Sequence, residues 1–262
     1  MNAWRILKLR AEDAFKNMAI DEAILRARIE EAVPNTIRFY QWNPSAVSIG
    51  RFQDVFQEVH VENCKKHGVD VVRRISGGGT VYHDCDGEIT YSVVVSEKNL
   101  GSEDVVAAYH QICSGLVEAA KTLGVRADFN LGDPKRCPNI TISGRKISGS
   151  AQSRKRGALL QHGSFLLDMD LKKMFTFLKV PWAQTLTDVL NIAQKRLTSI
   201  KHELRSTIST DEACQALIIG FQRALNIQLV EGELTSYEQS LAEILRKQKF
   251  ATDDWNFKGR SR

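Results

Sequence analysis

Residues 73–84 read Arg73-Arg74-Ile75-Ser76-Gly77-Gly78-Gly79-Thr80-Val81-Tyr82-His83-Asp84, and what flanks them decides the fold. Upstream is an apolar run at Val69, Val71 and Val72. Downstream is the alternating stretch Glu88-Ile89-Thr90-Tyr91-Ser92-Val93-Val94-Val95. Both have strand character, so the glycines form a sharp connection between two strands. Glycine reaches positive φ at low cost and lets a ligand come close to the backbone. Amide N–H groups beside Arg73 and Arg74 make an anion cradle. A tight hairpin would account for the glycines but not for the arginines or for His83-Asp84. No Gly-Lys-Ser/Thr follows, which excludes a P-loop, and the strand that follows excludes a dinucleotide fingerprint.

Working towards the N-terminus, residues 46–50 and 36–40 read as strands joined by a turn at Trp42-Asn43-Pro44. Residues 55–67 suggest a short helix with its lead-in. Over 13–31, Ala14, Met18, Ala19, Ala23 and Ile24 recur at helical spacing, with Asp21 and Glu22 expected to face solvent or cap a loop. Residues 4–9 are a first strand. Towards the C-terminus, a helix over 102–123 stops at Gly124. Its His110 and Cys113 are too few to hold a metal. A turn-rich loop over 130–138 carries Cys137 and leads into a meander of three strands over 139–168. Then come a helix over 171–178, a mixed stretch over 186–201 and a helix over 211–225 with Thr210 as its cap. A strand over 226–229, a helix over 236–249 and a closing Trp255-Asn256 complete the chain. The class is α+β, in one compact domain over residues 1–262.

Hydrophobic content of 43% and charged content of 26% are those of an ordinary globular protein. The net charge of +5 fits an anionic small molecule or an acidic carrier protein, and is too diffuse for a nucleic-acid binder. Cys64, Cys85, Cys113, Cys137 and Cys214 lack metal spacing and are odd in number, which points to free thiols in a reducing compartment. No apolar signal core or membrane-spanning run is present, so a cytoplasmic protein is expected.

A second informative stretch is Gly144-Arg145-Lys146-Ile147-Ser148-Gly149-Ser150-Ala151-Gln152. Lys146 sits at a turn-to-strand junction among small residues that permit close approach of a ligand. His162, in Gln161-His162-Gly163-Ser164, lies on an alternating strand, either as a satisfied half-buried histidine or as a cleft contact.

The two stretches, with Asn17-Met18-Ala19-Ile20-Asp21-Glu22, resemble the lipoate–protein ligase family of the biotin/lipoate ligase and octanoyltransferase superfamily. The resemblance implies a biotin/lipoate ligase-type catalytic domain, a mixed β-sheet flanked by helices. It implies an ATP- and Mg²⁺-dependent activation of lipoate (or octanoate) to the acyl-adenylate, then transfer to a lysine of a lipoyl carrier domain. Lys146 would be catalytic, a fixed ammonium offsetting charge on carboxylate and phosphate. Arg73, Ser76, Gly77, Gly78, Gly79, Val81, Tyr82, His83, Asp84, Gly149, Ser150 and His162 would bind acyl group and nucleotide, with Asp84 reaching the Mg²⁺. The acyl tail would run near Gly50, Phe52 and Val81. The length resembles that of short ligases served by a separate small accessory protein. The alternative within the superfamily is an octanoyltransferase that uses no ATP and passes octanoate from acyl carrier protein through a Cys137 thioester, with Lys135 and Arg136 lowering the thiol pKa. Trp42-Asn43-Pro44, Thr90–Val93 and Gln161–Ser164 resemble those transferases. The intact Gly77–Gly79 triplet resembles the ligases, which makes the ligase the expected activity. A non-catalytic binding module would leave Lys146 without a purpose.

Overall fold

The computed structural model describes residues 2–100, 104–132, 138–180, 183 and 185–259. In chain order the first elements are β1 (Asn2–Glu12), α1 (Ala14–Ile29), β2 (Thr36–Trp42), β3 (Ala46–Ile49), α2 (Val55–Glu58), α3 (Val61–Lys66), β4 (Asp70–Arg73), β5 (Val81–His83) and β6 (Glu88–Ser96). There follow α4 (Val105–Thr122), β7 (Asp128–Asn130), β8 (Asn139–Ile142), β9 (Arg145–Lys155), β10 (Ala158–Leu166), α5 (Leu171–Phe177), α6 (Leu186–Arg196) and α7 (Ile200–Leu204). The last are α8 (Thr210–Leu225), β11 (Ile227–Gly232), α9 (Ser236–Leu245) and α10 (Asp253–Asn256). No helix among the described residues is long and apolar enough to cross a membrane.

Eight strands form a mixed sheet in the order β11-β1-β2-β6-β10-β9-β8-β7. Helices cover both faces, so the central strand β6 is buried from Glu88 to Val95 in spite of its alternating sequence. On one face α4 and α8 pack over Phe39, Tyr91 and Val93. Their close approach requires glycine, since a Cβ on Gly220 would lie 2.3 Å from the Gly115 carbonyl oxygen. On the other face α1 and α9 cover Leu7, Tyr40, Val94 and Leu160. The cap of α8 is Ser209, in a capping box with Glu212, one residue earlier than the expected Thr210. The mixed stretch over 186–201 resolves into α6 and the start of α7.

The glycine stretch differs from the expected strand-to-strand turn. Its two strands are not neighbours: the small sheet runs β4-β3-β5, and the loop crosses over β3. The alternating run that follows the loop belongs to the large sheet. A cluster of Val47, Ile49, Val55, Cys64, Tyr82 and Phe177 fills the space beneath the small sheet. The chain returns to this lobe at its far end. Trp255 stacks between Arg51, 4.5 Å from the ring centroid, and Lys249 at 4.0 Å.

Candidate active site

Between the two sheets lies a cleft of about 650 Å³. Its walls come from β2, β3, the glycine loop and β5 on one side and from β8, β9 and β10 on the other, with Arg196 and Leu197 at the end of α6. Arg74, Lys146 and Arg196 are its cations, and no carboxylate lines it among the described residues. Met18, Tyr40, Trp42, Val81, Ala151 and Leu197 add apolar surface.

Lys146 reaches the cleft because of an irregularity. Opposite β8, Ile140 pairs with Ser148 but Thr141 pairs with Lys146, so Ile147 is an extra residue in β9. Such a bulge re-aims the adjoining side chain. The Lys146 carbonyl accepts from Thr198 N–H at 2.9 Å, which fixes its backbone. Gly149 leaves room for the side chain, since a Cβ there would lie 2.5 Å from Lys146 Nζ.

Two buried histidines stand on the cleft walls, His162 on β10 beside β9 and His83 on β5 opposite, each between an acid and a serine. His162 Nδ1 is 3.0 Å from Asp21 Oδ2, and its Nε2 is 2.6 Å from Ser76 Oγ. His83 Nδ1 is 2.7 Å from Glu88 Oε1, and its Nε2 is 2.7 Å from Ser48 Oγ. Burial lowers the His162 pKa against the opposing pull of Asp21, so the ring is neutral near neutrality. Burial pushes the Asp21 carboxyl up, but the His162 hydrogen bond and the Arg38 charge outweigh it and hold the group below its ordinary value. A carboxylate only accepts, so His162 donates from Nδ1 and accepts the Ser76 hydroxyl at Nε2.

Asp21 thus corrects the expectation that it faces solvent or caps a loop. It is 1% exposed, also takes Arg38 Nη1 at 2.9 Å and the Tyr40 hydroxyl at 3.1 Å, and its neighbour Glu22 is buried too. Helix α1 is buried over nearly its whole circumference from Asn17 to Leu25, so its polar residues need internal partners.

The structure sorts the expected site residues into three groups. Gly78, Gly79, Val81, His83, Lys146, Gly149, Ser150 and His162 line the cleft. Ser76 lies just behind it on His162, and the Ser150 hydroxyl is 2.7 Å from the Tyr91 hydroxyl. Gly77 contributes its carbonyl oxygen, which accepts from Arg74. Arg73, Tyr82 and Asp84 are elsewhere. Arg73 is 3% exposed and donates to the carbonyl oxygens of Gly50, Arg51, Gln53, Trp255 and Asn256. The arginine of this pair on the cleft wall is Arg74, which the sequence reading put in the anion cradle but not among the binding residues. Strand alternation sends Tyr82 away from the cleft, onto Phe177 at 5.3 Å between centroids. Asp84 accepts from the Tyr82 hydroxyl and from Lys173 Nζ at 2.7 Å. With Cys85 and Asp86 it forms the one group of three potential metal ligands found among the described residues, outside the cleft lining. Phe52 is 90% exposed and does not border the cleft. Cys137, Lys135 and Arg136 lie outside the described residues.

The model of the lipoyl protein ligase A/B catalytic domain matches residues 13–222. The chain belongs to this family. Curated relatives of the lipoyl ligase A/B family include Octanoyltransferase LipM of Geobacillus kaustophilus, 38% identical over 261 residues and covering 92% of this chain and 93% of that protein. Octanoyltransferase LipM of Bacillus subtilis is 36% identical, covering 97% and 98%. Among solved structures, one from Thermoplasma acidophilum described as a bi-partite lipoate protein ligase and its E2 lipoyl domain superposes with a TM-score of 0.85 at 30% identity, covering 100% of this chain and 99% of that one. A lipoate-protein ligase A bound with ATP gives 0.84 at 31%, covering 98% and 99%. The fold is therefore that of lipoate ligases, a mixed sheet flanked by helices. The expected activity is corrected. Relatives 35–38% identical over nearly the whole of both chains are octanoyltransferases, so the ATP-dependent ligase does not stand, and ATP remains a property of the structural neighbour.

Proposed function

We propose that this chain is an octanoyltransferase that moves an octanoyl group from acyl carrier protein to a lysine of a lipoyl domain. The full-length identity to the LipM relatives carries this reading. In support, Asn130 and Pro138, which flank the segment containing Cys137, both line the cleft, as does Lys146. The Lys146 amine takes the Cys137 proton, and the thiolate attacks the thioester carbonyl. A carbon–sulfur bond forms while the carbonyl π pair moves to oxygen, and the Lys146 ammonium faces that oxyanion. Collapse expels the carrier thiolate, which recovers the proton. The acceptor lysine amine then attacks the octanoyl-Cys137 thioester; the amide forms and Cys137 leaves with the amine proton. Met18, Trp42, Val81 and Ala151 offer apolar surface for the chain of the acyl group. Residues 1–262 act as one catalytic domain.

Intact-mass analysis of a lipoyl domain tests this. One arm supplies octanoyl-acyl carrier protein without ATP, the other lipoate, ATP and Mg²⁺. Octanoyl addition in the first arm, lost in Cys137→Ser and in Lys146→Ala, is expected. Addition only in the second arm, unaffected by Cys137→Ser, would overturn the reading.

A further inference from the structure

The glycine loop is held from beneath by a chain of four buried groups. Glu88 Oε1 accepts from His83 Nδ1 at 2.7 Å and from the Thr90 hydroxyl at 2.6 Å. His83 Nε2 lies 2.7 Å from the Ser48 hydroxyl oxygen, which accepts from Arg74 Nη1 at 2.8 Å. Arg74 Nη2 donates to two carbonyl oxygens of the loop, Gly77 at 3.0 Å and Gly79 at 2.9 Å. Ser48, Arg74, His83 and Glu88 are all at most 6% exposed, and Trp42 stacks on His83 at 4.1 Å. Glu88 Oε2 has no partner among the described residues, so the carboxylate is an energetically unfavourable way to fill this interior position. A group kept at such a cost has a directional task.

That task follows from peptide geometry. A trans peptide sets its N–H opposite its C=O. With the Gly77 and Gly79 carbonyls turned to Arg74, the N–H groups of Gly78 and Thr80 point to the other side of the loop. Neither N–H donates a hydrogen bond among the described residues, and both residues line the cleft.

We infer that the Glu88–His83–Ser48–Arg74 relay is a positioning device that sets the Gly78 and Thr80 amides as paired donors for the oxyanion formed when the acyl thioester is attacked. Its chemical half rests on the octanoyl-transfer reading; its structural half does not. The four side chains touch no reacting atom. They fix two backbone donors in advance, so no reorganisation is needed as charge develops.

Ser48→Ala removes the hydroxyl link, and the nearly isosteric Glu88→Gln, which keeps the buried volume, stands in for it should the alanine variant not fold. Amide hydrogen exchange over residues 74–82 reads the loop directly and is expected to quicken about tenfold, the equivalent of one hydrogen bond. Single-turnover formation of octanoyl-Cys137 is expected to slow about 10²-fold while KM changes less than about twofold, because an oxyanion donor acts in the transition state. Unchanged exchange overturns the relay. A loss confined to KM overturns the oxyanion assignment, as does acylation at the wild-type rate. Should the wild type form no octanoyl-enzyme, the transfer reading fails, and exchange over 74–82 alone decides whether the relay holds the loop.

Discussion

Arg73 and Arg74 are adjacent, equally buried, and belong to different parts of the molecule. Arg73, the last residue of β4, turns towards the C-terminal segment, where the Trp255 and Asn256 carbonyls accept from it while Asn256 Oδ1 takes its backbone N–H at 2.9 Å. Arg74 turns to the cleft wall, where Ser48 and the glycine-loop carbonyls accept. Strand geometry accounts for the opposite directions, since successive side chains leave opposite faces. What each arginine does is set by where its acceptors come from. Those of Arg73 include the distant carbonyls of Trp255 and Asn256 and tie the C-terminal segment to the small-sheet lobe; those of Arg74 are Ser48 and two carbonyls of the loop, which it shapes.

Substituting methionine at each position breaks the pair apart. Arg73→Met leaves several buried carbonyls unpartnered and is expected to cost about 3 kcal/mol, lowering Tm by roughly 6–12 °C in calorimetry. Its transfer rate, measured well below that Tm, should stay within about threefold of wild type. Arg74→Met reverses the ratio, with transfer down about 10²-fold and a smaller loss of Tm. Equal effects on both quantities in both variants would erase the distinction. Gly149→Ala sharpens it from across the cleft: the new Cβ displaces the flexible end of Lys146 and not backbone, so transfer should drop about tenfold with Tm almost unchanged.

The smallest effect concerns His162. Its folded pKa is lowered, so the stability it contributes is complete above the unfolded value of about 6.5 and is lost as pH falls through the folded pKa. Melting between pH 7.5 and 5 should show a decline of at most about 1.4 kcal/mol per pH unit from this group. The decline should flatten in His162→Gln, and an identical slope in the variant would remove His162 as its source.

The strands, the long helices and eight of the residues that line the cleft were legible in the sequence, because periodicity and the glycine and lysine motifs are local signals. Partners were not. Nothing near residue 73 announces Trp255, and nothing near residue 21 announces His162, so Arg73 was read as a ligand group and Asp21 as solvated or capping a loop. The crossover of β3 was hidden for the same reason: β4 and β5 border the glycine loop in sequence, yet pair with a strand that precedes both. The activity turned on a finer point, because an intact glycine triplet favoured the ligase while the relatives are transferases.

The hydrogen bond from Arg73 to Trp255 spans 182 positions. During synthesis the amino-terminal strands leave the ribosome first, and the glycine loop is exposed long before its distant anchor exists. Closing so large a loop carries an entropic cost that local contacts cannot offset in advance. The lobe that bears the loop is therefore braced only after residues 253–259 have emerged and docked. A nascent chain holds every cleft side chain before the brace exists, so the full stability of this lobe is reached late in the life of each molecule.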